Sequence, residues 1–255
     1  MRSKTERRYG FLKQLRFKYT VASSLFYVLF NIREARRYAF DKTGKYTAEQ
    51  KYKKALKYID HMRKRSHTRT VVFGKENLPA DSGYIMYSNH QGKYDALGIL
   101  LNHDKPCSVL WERKAADRFL AREVCALING KKIDHNDLRE TITVLNEIAS
   151  EAANGGRFLI FPEGGYNDNR NKLQEFKTGC FICSIKSKTP IVPVVIYDSW
   201  KAMDTNTFGK VTTEVHYLTP IQPSEYEGMS KAELCELVRG KIADKLNEIE
   251  KQKQK

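Results

Sequence analysis

Six short apolar runs recur along the chain after its first seventy residues: Thr70–Phe73, Tyr84–Tyr87, Cys107–Trp111, Arg157–Phe161, Ile191–Tyr197 and Lys210–Leu218. Several are apolar at nearly every position, which is the pattern of strands covered on both faces. Between them, helical patterns run over about 94–102, 115–128, 136–153, 174–187 and 230–250. Asn136 or Asp137 is placed to cap the 136–153 helix, and Asn154-Gly155-Gly156 to stop it. The alternation predicts an α/β fold, a mixed and largely parallel sheet covered by helices. In such sheets ligand sites gather beyond the carboxyl ends of strands, so the residues that follow each run carry the most information.

The first seventy residues read differently. Tyr19 to Ile32 is a stretch of fourteen residues without a charge, flanked by Arg16 and Lys18 before it and by Arg33, Arg36 and Arg37 after it. As a helix it would be roughly 21 Å long, too short to cross a hydrocarbon core of roughly 30 Å. Cations at both ends of a short apolar helix suit a segment lying in a membrane interface, with Leu25, Phe26, Leu29 and Phe30 toward acyl chains. A second basic helix is expected at about 47–65, joined to the first around Lys42-Thr43-Gly44. A signal peptide is the competing explanation, but Asn31-Ile32-Arg33-Glu34 offers no small-residue cleavage site. A plain core helix is the other.

Charge sharpens this division. The chain has 255 residues and a formal net charge of +15. Residues 1–70 hold 20 Lys+Arg against 5 Asp+Glu, whereas residues 71–255 hold 25 of each. The excess therefore sits wholly on the N-terminal arm and implies a polyanionic partner. A nucleic-acid arm would lack the apolar run, so an anionic membrane surface is the expected partner, with no nucleic acid. Five cysteines, an odd number at irregular spacing, speak against a disulfide framework and for a reducing compartment. Cys180-x-x-Cys183 has no second ligand pair for zinc and lies in an apolar helical pattern, so both are read as buried small side chains, and no metal site is expected.

The chemistry concentrates after the second run, in Ser88-Asn89-His90-Gln91-Gly92-Lys93-Tyr94-Asp95. A histidine at a strand end, followed by an aspartate one helical turn later, is the arrangement of a general base. The carboxylate holds one ring nitrogen protonated and leaves the other bare toward a hydroxyl. Seventy residues on, another strand ends in Phe161-Pro162-Glu163-Gly164-Gly165. Its glycines let backbone N–H groups approach a ligand, and Glu163 is placed to bind a hydroxyl or a neighbouring cation.

In this order and spacing the two elements resemble the glycerolipid acyltransferase family, whose best-known members acylate 1-acylglycerol-3-phosphate. Asn89-His90 through Asp95 matches N-H-x-x-x-x-D, and Phe161 to Gly164 matches F-P-E-G. Phe176-Lys177-Thr178-Gly179, opening the next helix, and the strand Ile191–Ile196 also fit, and the resemblance covers roughly residues 70–220. Two positions depart from it. Family members usually follow Glu-Gly with Thr-Arg-Ser, where this chain has Gly165-Tyr166-Asn167, and His135 stands where the second motif usually has an arginine. Those arginines are taken to bind the acceptor's phosphate, and Lys131, Lys132, Arg139 and Lys177 are nearby substitutes that would act as point charges or from new positions.

The resemblance implies an acyltransferase domain, set at 69–255, and the charge and apolar patterns place a basic helical membrane-interface arm at 1–68 before it. The implied reaction is transfer from acyl-CoA or acyl carrier protein, as co-substrate and without a further cofactor, to the sn-2 hydroxyl of 1-acylglycerol-3-phosphate, forming phosphatidic acid. His90 and Asp95 would be the catalytic pair. Glu163, Gly164, Gly165, Lys93, Lys131, Lys132, His135, Arg139 and Lys177 would bind substrate. Backbone N–H groups of Gln91-Gly92 or Gly164-Gly165 would serve the oxyanion. The expected location is the cytoplasmic face of a membrane, peripheral or monotopic. Alternatives left open are another lysophospholipid or glycerol-3-phosphate as acceptor, a thioesterase or phospholipid hydrolase, and an inactive membrane scaffold.

Overall fold

The computed structural model describes residues 14–254. The first thirteen positions of the expected arm lie outside the described residues. In chain order the helices are α1 (Leu15–Ala39), α2 (Ala48–Arg65), α3 (Asp95–Leu101), α4 (Arg113–Ala116), α5 (Ala121–Leu127), α6 (Leu138–Ala153), α7 (Ile182–Ser187) and α8 (Lys231–Lys253). The strands are β1 (Thr68–Phe73), β2 (Tyr84–Ser88), β3 (Ser108–Glu112), β4 (Lys131–Ile133), β5 (Arg157–Ile160), β6 (Ile191–Tyr197) and β7 (Val211–Tyr217). They form one sheet in the order β1-β7-β6-β2-β5-β3-β4, in which only the β6–β7 pair is antiparallel. The expected mixed, largely parallel sheet is the one found.

Period-two alternation divides β2 between two cores. Ile85 and Tyr87 face α6, α7 and α8, among Ile148, Phe181, Cys183, Leu234 and Ile242. Tyr84 and Met86 face the other way, toward Tyr52, Ala55 and Ile59 of α2, Ile99 and Leu100 of α3, and Val124 of α5. With both faces of the sheet covered, the near-continuous apolar runs of β2, β5 and β6 follow directly. Asp137 caps α6 by accepting from Glu140 N at 2.9 Å, and Asn154 ends it.

Three departures from the sequence pattern matter for the site. The 115–128 pattern is two helices, broken at Leu120, whose φ is +68°. Lys131–Ile133 forms a three-residue edge strand, β4, that was not foreseen. The 174–187 helix starts late: a 3-10 turn at Thr178–Phe181 leads into α7, and Lys177 N–H donates to Pro162 O at 2.8 Å.

The helical pair is built into the body. Tyr52, Ala55 and Ile59 of α2 belong to the core under the sheet. Thr47 and Gln50 form a capping box at the start of α2 after the turn at Gly44. α1 is unusual in what it buries. Its inward face is Arg16, Thr20, Ser24, Val28 and Ala35, mostly small or polar, while Phe26 and Phe30 are 75% and 86% exposed. Tyr19, Val21, Leu25 and Leu29 share this outward exposure. Arg16, 1% exposed, fastens the helix by donating to Ser66 O, to Thr207 O at 2.8 Å and to Gly209 O at 2.8 Å. Among the described residues no helix is long and apolar enough to cross a membrane.

Candidate active site

β2 ends at Ser88, and the next residue extends its ladder with a side chain. Asn89 Oδ1 accepts from Ile196 N at 2.9 Å while its Nδ2 donates to Ile196 O at 3.0 Å, locking the strand end to β6. The chain then turns sharply into α3. Gly92 is required in that turn by close approach, since a Cβ there would overlap the Asp204 carboxylate.

The turn brings His90 and Asp95 together. His90 Nδ1 lies 2.6 Å from Asp95 Oδ2. The same oxygen accepts the backbone N–H of Gln91 and, at 2.8 Å, that of Gly92. An oxygen that takes two backbone donors is an acceptor, so His90 Nδ1 carries the proton and Nε2 is left bare. Asp95 is 1% exposed and opens α3, where the helix N-terminus favours a negative charge. The His90 ring is clamped, stacked on Phe161 at 4.4 Å between centroids and met edge-on by Tyr166 at 4.8 Å.

Glu163 plays a part that the sequence did not suggest. It is buried and faces the protein: Oε1 accepts His90 N–H at 3.1 Å and Oε2 accepts from Gln174. Burial pushes its carboxyl up to about 7, against those hydrogen bonds and the nearby imidazole. Glu163 was expected to bind substrate; here both of its oxygens are engaged within the protein, and it holds the turn that carries His90. Behind it, Gln91 is consumed as well. Its side chain donates to Ile196 O and Asn171 Oδ1 and accepts from Ser199 N, and Asn169 Nδ2 donates to His90 O at 2.9 Å.

The Gln91 and Gly92 N–H groups, one of the two pairs expected to serve an oxyanion, both donate to Asp95. Gly164 N–H closes a turn onto Phe161 O at 3.1 Å. Gly165 borders the cavity described next, and its carbonyl is fixed by Gln174 Nε2 at 2.8 Å. Its N–H makes no hydrogen bond among the described residues.

His90 lines a cavity of about 590 Å³, a size that suits a small-molecule or lipid ligand. Its walls are mainly apolar: Val21, Leu25 and Val28 of α1, Ile59 and Met62 of α2, Leu97 of α3, Val109 to Trp111 of β3 and Val124 of α5. Val21 and Leu25 line it and are each 46% exposed, so the cavity mouth runs into the outward apolar face of α1.

The expected phosphate-binding cations scatter. Lys93 and His135 line the cavity, and Lys93 is paired with Asp204 while lying over the rings of Phe17 and Tyr166. Lys131 pairs with Glu151 at 2.5 Å and Lys132 with Asp117 at 2.6 Å, and neither lines the cavity. Arg139 is exposed on α6 outside it. Lys177 is exposed and folds its ammonium over Gly164, whose φ of +71° needs a glycine. Among the described residues no cluster of His, Cys, Asp or Glu could hold a metal ion.

Residues 69–197 match the acyltransferase family model. The chain belongs to the acyltransferase family. Within that family it is similar to curated proteins named 1-acyl-sn-glycerol-3-phosphate acyltransferase. The alpha form from Ovis aries is 27% identical over 184 residues, covering 71% of this chain and 64% of that protein. The Homo sapiens alpha form is 29% identical over 160 residues, covering 62% and 56%. The Saccharomyces cerevisiae protein is 30% identical over 183 residues, covering 70% and 60%. The chain thus spans less than two thirds of the length of these relatives. The crystal structure of the 1-acyl-sn-glycerophosphate (LPA) acyltransferase, PlsC, from Thermotoga maritima shares the acyltransferase fold with a TM-score of 0.70 at 20% identity, covering 92% of this chain and 95% of that one.

Proposed function

We propose that the protein moves a fatty acyl group from a thioester donor, acyl-CoA or acyl carrier protein, to the sn-2 hydroxyl of 1-acylglycerol-3-phosphate, forming phosphatidic acid. The observation that carries this reading is the pairing of a bare His90 Nε2 with an apolar cavity whose mouth opens onto the exposed apolar face of α1. A water-soluble substrate has no use for that continuity, whereas a lipid acceptor enters along it. The names of the curated relatives support the acceptor.

In this scheme His90 Nε2 removes the hydroxyl proton as the oxygen attacks the thioester carbonyl. Asp95 holds the ring and stabilises the imidazolium that forms. The tetrahedral oxyanion is met by the Gly165 N–H, which makes no hydrogen bond among the described residues. Collapse expels the thiolate, which takes the proton back from His90. The acyl group passes directly between oxygen and sulfur, so no acyl-enzyme and no cofactor beyond the donor is required. The apolar cavity shelters an acyl chain.

Delivery completes the reading. Phe26, Phe30, Leu29 and their neighbours dip into a bilayer on its cytoplasmic face, with Arg33 and Arg37, both exposed, on anionic headgroups. The protein is then peripheral or monotopic. The test is to incubate it with acyl-CoA and a panel of lysophospholipids and identify products by mass. Acylated lysophosphatidate supports the reading. Thioester loss at the same rate without acceptor replaces it with a hydrolase.

A further inference from the structure

Between α4 and α5 the chain passes through Asp117–Leu120, a turn held in a conformation that its sequence resists. Leu120 has φ +68° and ψ −40°, a region that a branched side chain rarely adopts. The turn is braced. Leu120 N–H donates to Glu123 Oε2 at 3.0 Å, and Glu123, fully buried, is gripped by Arg122 at 3.2 Å and by Arg36 of α1 at 2.9 Å. A strained backbone secured from two helices is a sign that its position matters.

The braced turn sets Arg118 and Phe119 on the wall of the cavity that contains His90. Phe119 is 60% exposed and so marks the rim. Lys114, Arg139 and Lys177 lie off the cavity wall, and the other surrounding cations are engaged: Lys93 with Asp204, Arg113 with Glu140, Arg122 with Glu123, Lys131 with Glu151 and Lys132 with Asp117. Arg118 differs, since its guanidinium has no hydrogen bond or ion pair among the described residues. It lies near enough to Tyr166 for its charge to act on that phenol. Tyr166 and His135, both on the cavity wall, occupy the two positions where arginines were expected. One carboxylate, Glu112, is also on that wall.

An unpaired guanidinium at the rim of an apolar cavity, with a general base inside, selects a ligand that has an apolar tail, a hydroxyl and an anionic head. We propose that Arg118, held by the strained Asp117–Leu120 turn, binds the phosphomonoester of the acceptor and sets the preference for phosphate-bearing acceptors. The assignment rests on the acyltransferase reading for the identity of the acceptor. A guanidinium also recognises the phosphates of bulk bilayer lipids, so the experiment must separate the two sources.

The variants are Arg118→Gln and Arg118→Lys. Binding of 1-acylglycerol-3-phosphate and of 1-acylglycerol is followed by fluorescence of Trp111, which lines the cavity, and sedimentation with phosphatidylcholine/phosphatidylglycerol vesicles is run in parallel. Loss of one charge-assisted contact predicts roughly tenfold to hundredfold weaker binding of the phosphate-bearing lipid in Arg118→Gln. Binding of 1-acylglycerol and of vesicles stays within about twofold, and Arg118→Lys recovers part of the loss because lysine supplies the charge without the fork. With turnover, KM for the phosphate acceptor rises while kcat changes little. Equal weakening for both lipids overturns the proposal, as does unchanged binding. A fall in vesicle binding that accounts for the whole effect makes Arg118 a bilayer contact instead. If the wild type binds the phosphate lipid through Arg118 but transfers no acyl group, the acyltransferase reading fails while the phosphate site stands.

Discussion

Asp95→Asn removes one charge from the site and almost no volume. In the native protein Asp95 Oδ2 takes three donors, His90 Nδ1 at 2.6 Å and the N–H groups of Gln91 and Gly92, while Oδ1 is buried without a partner. An asparagine oxygen can keep the two backbone bonds only by placing its NH2 at the orphaned Oδ1 position. The cost to folding is one unmet buried donor, about 1–3 kcal/mol, which lowers Tm by several degrees and leaves the fold intact. The cost to catalysis is larger. The imidazolium formed during proton transfer loses its carboxylate, and comparable histidine–carboxylate pairs lose up to about 10⁴ in kcat on this change. A loss of roughly 10³ to 10⁴ corresponds to about 4–5.5 kcal/mol of barrier. The assay is initial-rate acyl transfer at saturating donor and acceptor, with thermal melts on the same preparations. A purified Asp95→Asn protein that keeps a tenth or more of wild-type kcat refutes the reasoning, because the carboxylate would then be only a cap for its turn.

Glu163 carries a pH dependence of stability. Its folded value, raised to about 7 from 4.5 by burial, means that folded and unfolded states are both protonated at low pH. Between the two values only the unfolded chain ionises, so stability falls as pH rises through that window, by up to about 3 kcal/mol, and is level above it. Denaturant melts of Glu163→Gln at pH 5 and pH 8 should lack this part of the fall; parallel curves for the two proteins would contradict it. Arg16→Leu strands the carbonyls of Ser66, Thr207 and Gly209 and should cost about 2–4 kcal/mol in urea unfolding; a change under 0.5 kcal/mol would mean that α1 is not fastened there. Phe26→Ser with Phe30→Ser should leave the melting temperature unchanged and cut partition onto anionic vesicles by roughly 10² or more, each buried phenylalanine being worth about 1.5–3 kcal/mol. Unaltered partition would remove α1 from the bilayer contact.

The reacting pair was legible in the chain because it is local. His90 and Asp95 are five residues apart at a strand-to-helix turn, and one turn of backbone brings them into contact. The alternating layout was legible because doubly covered strands are apolar throughout. What escaped depends on contacts distant in sequence. Glu163 reads as a ligand-facing acid until its partners, His90 N–H and Gln174, are seen. The Gln91 and Gly92 amides look available until Asp95 claims them. Lys131 and Lys132 suggest a phosphate site, but an edge strand of three residues, too short to show a period, directs them to Glu151 and Asp117. Arg118 was hidden by the uniform helical pattern over 115–128, since nothing in a leucine announces the positive φ at Leu120 that breaks it. The inverted burial of α1 was half visible: its apolar run was plain, but only packing shows that its small and polar residues are the ones turned inward.

If His90 takes the proton of a lipid hydroxyl as that oxygen attacks a thioester, removing its imidazole must stop transfer. Purified wild type and His90→Ala, matched for fold by circular dichroism, are each given acyl-CoA and 1-acylglycerol-3-phosphate, and the lipid product is weighed by mass spectrometry. The wild type should form phosphatidic acid, heavier than the acceptor by one acyl group, and His90→Ala should form it at a rate at least about 10³-fold lower. Phosphatidic acid formed by His90→Ala within tenfold of the wild-type rate would contradict it.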